Sequence, residues 1–153
     1  MDLILWRHAE AQEPPAGMAD LDRALTRRGQ QQAARMAAWL DRQLPDGTRV
    51  LASPALRTVQ TAQALQRRFR PQAELLPGAS ADALLQLAGW PDARAPVLLV
   101  GHQPTLGQVI ARLLGLAEPD CAVKKGAVWW LRSRQRAGTP QTVVVAVQAA
   151  QML

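Results

Sequence analysis

Two histidines and a few arginines carry the chemistry this sequence offers. His8 and His102 are its only histidines among 153 residues. Each follows an apolar run: Leu3-Ile4-Leu5-Trp6 leads into Arg7-His8, and Pro96-Val97-Leu98-Leu99-Val100-Gly101 leads into His102. A third run, Arg49-Val50-Leu51-Ala52, leads into Ser53-Pro54-Ala55-Leu56-Arg57. Guanidinium groups bind phosphate oxygens through paired N–H donors. An imidazole with an unperturbed pKa of about 6.5 can attack as a neutral nucleophile while a second one donates a proton. Such a set suits transfer of a phosphoryl group through a covalent histidine, with fixed arginines neutralising charge. One isolated histidine is more often a surface residue or a satisfied core residue. Two at the ends of apolar runs, each inside a local pattern, point to a site.

The elements that must position these residues alternate along the chain. Leu3 to Trp6 reads as a buried strand, and Glu13 to Asp22 as a Pro/Gly loop. Thr26 to Leu44 reads as a helix with Thr26 as N-cap and an apolar side formed by Leu25, Ala33, Met36, Ala37 and Leu40. Arg49 to Ala52 is a second strand. A helix to about Phe69 follows, with Ser53 as N-cap and Pro54 at its first position. Glu74 to Leu76 is read as a third short strand, Asp82 to Trp90 as a helix, Pro96 to Gly101 as a buried strand and Leu106 to Leu116 as a helix. Ala122 to Arg132 and Thr142 to Ala149 read as a hairpin turning at Gly138-Thr139-Pro140. The pattern predicts a single α/β domain over residues 1–153, a three-layer α/β/α arrangement. Its sheet is mixed but mostly parallel, with helices on both faces and a C-terminal β-hairpin. In such sheets ligands gather beyond the carboxyl ends of the strands. That rule sends His8, His102, Arg7 and Arg57 toward one crevice.

At these residues the sequence resembles the histidine phosphatase superfamily, most closely its small SixA-type phosphohistidine phosphatases. Arg7-His8-Ala9 is similar to the family's Arg-His-Gly, Ser53-Pro54-Ala55-Leu56-Arg57 to its Ser-Pro-x-x-Arg, and Gly101-His102 to its second histidine segment. Arg23-Ala24-Leu25-Thr26 resembles Arg-x-Leu-Thr, and His102-Gln103-Pro104-Thr105-Leu106-Gly107 resembles His-x-Pro-x-x-Gly. The likeness runs from Leu3 through Leu116. It implies that His8 is the nucleophile that becomes phosphorylated. Arg7, Arg57 and, as a third group, Arg23 would hold the phosphoryl oxygens, and His102 would donate to them. It implies no metal and no cofactor, and a phosphorylated protein as substrate. Two departures stand out. Ala9 replaces the usual glycine, a change a normal backbone conformation tolerates. The carboxylate that larger members supply as general acid has no evident counterpart, Glu74 and Asp82 being the nearest acids. An alkoxide leaving group needs that proton more than an imidazole does, which tilts the expectation toward phosphohistidine. The alternatives are a phosphomonoesterase acting on a small metabolite, and a phosphate-recognising binding module without catalysis.

Composition narrows the remaining classes. The net charge of +6 and pI of about 11.2 suit an acidic partner. The cations are scattered, however, and one Phe with no Tyr leaves few platforms for stacking bases; nucleic acid is not an expected partner. Cys121 is the single cysteine, so no internal disulfide forms. No apolar run approaches the ~20 residues of a membrane span, and the N-terminus shows no basic region before an apolar core. The expectation is a cytoplasmic protein without membrane partners, a monomer by preference.

Several partial motifs fail. His8-Ala9-Glu10 has the first half of a zinc deaminase signature but lacks the two cysteines of the second half. A cysteine phosphatase needs an arginine where Ala127 stands. Asp20-Leu21-Asp22 lies in a loop and does not end an apolar strand. Trp129 and Trp130 should face opposite sides of a strand, one in the core and one exposed or at an edge. Arg132, Arg134 and Arg136, like Lys124-Lys125, read as solvated surface. Glu10 reads equally as a group that orients the site and as a solvated loop acid.

Overall fold

The first strand, β1 (Asp2–Arg7), is apolar without alternation because both of its faces are covered. In a computed structural model describing residues 1–153, Leu3 and Leu5 enter one core and Ile4 and Trp6 another. All four are fully buried. β4 (Val97–Gly101) repeats the pattern, with Val97 and Leu99 on one side and Leu98 and Val100 on the other. Such runs mark the centre of a sheet with helices on both faces.

The remaining strands are β2 (Arg49–Ala52), β3 (Arg70–Pro71), β5 (Val128–Arg136) and β6 (Thr139–Gln148). The order across the sheet is β3-β2-β4-β1-β5-β6. The first four strands of that order run parallel, and β5 and β6 complete the sheet antiparallel. The helices α1 (Arg27–Gln43) and α2 (Leu56–Gln63) cover one face through Met36, Ala37, Leu40 and Ala62. The helices α3 (Ala81–Ala88) and α4 (Thr105–Leu114) cover the other through Leu84, Ala88, Leu106, Val109 and Ile110. The three-layer α/β/α fold with its mostly parallel mixed sheet and C-terminal hairpin is the one the sequence predicts.

Local departures have local causes. Thr26 caps α1 as anticipated, its Oγ1 accepting from the Gly29 amide at 2.9 Å. Ser53 does not cap α2. The residue before a proline is pushed out of the helical region; the chain bends at Pro54 and Ala55, with Ala55 non-helical (φ −56°, ψ 140°), before Leu56 begins the helix. α2 stops at Gln63, well short of Phe69, and Gln66 takes a positive φ of 56°. The third strand is Arg70–Pro71; the strand expected at Glu74 to Leu76 is instead a single 3-10 turn, Ala73–Leu75, followed by Leu76. The hairpin turns on Ala137 and Gly138, both at positive φ (52° and 78°), as a two-residue turn between right-twisted strands requires. Thr139 and Pro140 belong to β6. Trp130 is buried in one core, while Trp129 packs half-buried against the other.

Two glycines are fixed by contact with backbone, Gly29 against the Glu10 carbonyl and Gly107 against that of Cys121. Gly107, on α4, lies against the Cys121 carbonyl, and a Cβ built there falls far inside van der Waals contact distance of that oxygen. The Gly107 amide donates to Gln103 Oε1 at 2.7 Å, and Gln103 Nε2 donates to the same Cys121 carbonyl at 2.8 Å. Backbone cannot retreat as a flexible side chain would. Gly107→Ala is therefore expected to destabilise the fold by about 1–3 kcal/mol, as measured by urea denaturation. An unchanged midpoint would show that the 121–127 segment yields freely.

Candidate active site

Three strand ends meet at β4. The His8 amide donates to Gly101 O at 3.1 Å, and the Ser53 amide donates to Val100 O at 3.0 Å. These bonds carry the parallel ladders one step past β1 and β2, so His8, Ser53 and His102 leave the sheet side by side. The segment 121–127 then folds back over the end of β1. Ala127 O accepts from the Arg7 amide at 3.0 Å, the Gly126 amide donates to the carbonyls of Arg7 and His8, and Trp6 Nε1 donates to Gly126 O at 3.1 Å. Ala9, fully buried at a normal φ, donates its amide to Thr61 Oγ1 at 3.1 Å. The methyl in place of glycine is accommodated.

The two imidazoles stand 5.3 Å apart between centroids, tilted by 54°. Both are buried. His8 Nδ1 lies 2.7 Å from Ala9 O. A carbonyl only accepts, so Nδ1 holds the proton and Nε2 keeps its lone pair. His102 Nε2 lies 2.8 Å from Ser53 Oγ. Burial first, then the Arg57, Arg7 and Lys125 cations, holds His8 down from an ordinary 6.5 to about 4, against the opposing bond to Ala9 O. Burial, followed by His8 and Arg57, holds His102 down to about 3. Both rings are neutral at pH 7.

The arginines surround them. Arg57 is buried on α2, its Nη1 donating to Asp20 O at 2.9 Å and its Nη2 to Asp20 Oδ2 at 3.0 Å. Arg7 Nη1 donates to Val123 O at 2.7 Å. Burial and the neighbouring Arg57 push the Arg7 guanidinium below its ordinary value. Arg23 reaches the cluster indirectly: its Nη1 donates to Asp20 Oδ1 at 3.1 Å and its Nε to Gln12 O at 2.7 Å. Asp20 thus bridges Arg57 and Arg23, and these two arginines keep its carboxyl below the usual range.

The buried side-chain nitrogens and oxygens with no partner in the protein are Arg7 Nε, Arg57 Nε and His102 Nδ1. Buried polar groups are ordinarily paired. All three exceptions belong to residues singled out in the sequence, and all three are nitrogens that can donate. With the bare Nε2 of His8 these residues supply three donors and one nucleophile, and two of the donors belong to the guanidinium cations themselves. That arrangement can accept the three peripheral oxygens of a phosphoryl group and attack its phosphorus.

The model for the histidine phosphatase superfamily (branch 1) matches residues 3–80. The chain belongs to this superfamily. An uncharacterized protein of Picosynechococcus sp. is 34% identical over 143 residues, covering 87% of this chain and 86% of its own. SixA of Agrobacterium tumefaciens, assigned as a phosphohistidine phosphatase, superposes with a TM-score of 0.80 at 26% identity, covering 97% of each chain. A protein histidine phosphatase SixA solved with tungstate shares the fold, with a TM-score of 0.77 at 24% identity over 99% of each chain. So does a mycobacterial glucosyl-3-phosphoglycerate phosphatase, with a TM-score of 0.72 at 18% identity over 97% of this chain and 99% of its own. Membership of the superfamily supports phosphatase activity.

Two candidate acids stand apart from it. Asp82 pairs with Arg112 in an exposed bridge between α3 and α4. Glu74 is exposed on the Ala73–Leu75 turn. Glu10 is structural: its carbonyl accepts from the Thr26 amide at 3.0 Å and its Oε2 from Thr26 Oγ1 at 2.7 Å, which ties the loop to the start of α1. Sequence reasoning set Asp20 aside with the Asp20-Leu21-Asp22 triplet and misread Ser53 as a cap. The signal for Asp20 was its place three residues before Arg23 in the same loop.

The neutral histidines have a consequence for stability. An unfolded chain takes up protons on both rings near pH 6.5, whereas the folded chain resists until about 4 at His8 and about 3 at His102. Between those values the unfolded state binds more protons, so stability falls as pH falls. Denaturation at pH 7, 6 and 5 is expected to show a declining free energy of unfolding, and a His8→Gln/His102→Gln variant a flatter decline. Parallel slopes for the two proteins would refute the buried, neutral assignment.

Proposed function

We propose that this protein hydrolyses phosphohistidine on another protein through a phosphorylated His8. The observation that carries the reading is the trio of unpartnered buried donors, Arg7 Nε, Arg57 Nε and His102 Nδ1, gathered around a histidine whose Nε2 is bare. In the first step His8 Nε2 forms a bond to phosphorus while the bond from phosphorus to the substrate imidazole breaks. The departing imidazole keeps the electron pair and leaves as a neutral ring, because its other nitrogen already carries the proton. In the second step water attacks phospho-His8, inorganic phosphate leaves, and His8 recovers its lone pair. Arg7 and Arg57 neutralise the phosphoryl charge in both steps. Arg23 acts through Asp20, holding that carboxylate against Arg57.

The proton inventory supports this substrate class. The carboxylate bonded to the cluster is Asp20, which two arginines keep ionised. It cannot serve as a general acid at neutral pH. An alkoxide leaving from a phosphate ester needs such an acid, whereas an imidazole leaves as a neutral base. The likeness to SixA supports the same class.

Phosphate release from a phosphohistidine protein, measured beside a panel of sugar phosphates, tests the reading. Fast release from phosphohistidine, slow ester turnover and no activity in His8→Ala are expected. Preferential turnover of an ester would replace this reading with a metabolite phosphatase, and release from neither class would leave a binding module. Arg57→Ala should slow phosphohistidine turnover by well over tenfold, about 1.4 kcal/mol of barrier. A smaller effect would remove Arg57 from the phosphate clamp.

A further inference from the structure

We propose that Ser53 is a positioning residue that fixes His102 as its Nδ1–H tautomer, so that the ring turns a donor, not a lone pair, toward the phosphoryl group. The functional consequence rests on the phosphatase reading above; the tautomer itself does not.

The hydrogen-bond inventory around Ser53 decides the direction of its bond to His102. Ser53 is fully buried. Its Oγ has two polar neighbours, the Ala55 amide at 3.2 Å and His102 Nε2 at 2.8 Å. The amide can only donate, so it occupies a lone pair of Oγ. The hydroxyl hydrogen then has one acceptor within reach, His102 Nε2. A buried hydroxyl without an acceptor is costly, and native structures avoid it. With Nε2 accepting, the single proton of the neutral ring resides on Nδ1. Nδ1 is the ring atom that is buried and has no partner in the protein.

The hydroxyl is held in place by its turn. The Ser53 amide is bonded to Val100 O, and Ser53 O accepts from Thr58 Oγ1 at 2.8 Å. Thr58 Oγ1 also reaches Ala55 O at 2.7 Å, and Thr58 is itself fully buried. Pro54 keeps the backbone of Ser53 extended. The two histidines therefore share a tautomer and perform opposite tasks. Ala9 O holds the proton of His8 on Nδ1 and leaves Nε2 free to attack. Ser53 blocks Nε2 of His102 and leaves Nδ1–H free to donate. The reverse tautomer of His102 would set a lone pair against anionic oxygens.

Long-range 1H–15N NMR of the labelled, ligand-free protein at pH 7 reads the tautomer directly. Two imidazoles are present in the chain, and a His8→Ala sample assigns them. His102 is expected to show a protonated Nδ1 and a bare Nε2 in the wild type, and to shift toward Nε2–H in Ser53→Ala. Phosphorylation of His8 by phosphoramidate in a single turnover should then slow by about 10- to 100-fold in Ser53→Ala. Ser53→Thr, which keeps a hydroxyl, should retain the wild-type tautomer. An Nε2–H ring in wild-type His102 overturns the proposal even if no variant folds, as does a Ser53→Ala protein with unchanged tautomer and rate. A wild type that shows Nδ1–H yet is never phosphorylated would reject the phosphatase reading and leave the tautomer assignment in place.

Discussion

The carboxyl end of β4 holds the site together. Its last two carbonyls, Val100 O and Gly101 O, accept from the amides of Ser53 and His8, and the next residue along the chain is His102. Hydrogen bonds of the parallel ladder thereby fix three side chains from three distant parts of the sequence. β4 can occupy the centre of the sheet because its residues are buried on both faces. The placement of the histidines is thus set by the hydrophobic burial of strands that lie wholly beneath them. The antiparallel β5 and β6 enlarge the sheet on the other side of β1, and the segment leading into β5 returns over Arg7.

Electrostatics completes what the ladder positions. Two guanidiniums are gathered near two buried imidazoles, and the carboxylate facing them is a single, half-exposed Asp20. Excess positive charge and low hydration both disfavour a further proton on the rings. The same imbalance that keeps His8 nucleophilic attracts a phosphoryl group. Burial does most to keep His8 unprotonated, and the cations that assist it are the groups that attract the anion.

Much of this was legible in the sequence because strand ends announce themselves. Uninterrupted apolar runs identified β1 and β4 as doubly covered, and the residues after them were placed correctly beside one another. The apolar stripe of α1 and its Thr26 cap followed from local spacing. Ser53 was misread for a physical reason: Ser-Pro before a helix fits a cap, and its pairing with His102 spans 49 residues of sequence. Glu74 to Leu76 was misjudged because two or three residues carry no period. Asp20 was weighed only as part of Asp20-Leu21-Asp22 and set aside, because an acid in a Pro/Gly loop acquires meaning only when folding brings Arg57 against it. Local signals located the groups that bear the chemistry, and the contacts that orient them were non-local.

Each of the principal groups is held at a second point away from the open nitrogen: Arg7 by Val123 O, Arg57 by Asp20, His8 by Ala9 O and His102 by Ser53. A free arginine side chain carries about 2 kcal/mol of rotamer entropy, and ordering it at the moment of binding weakens an affinity by a corresponding amount. In this protein that ordering accompanies folding. An incoming phosphoryl group meets immobilised donors, so little of its binding energy is lost to arranging them. The entropic cost resides instead in the stability of the free protein.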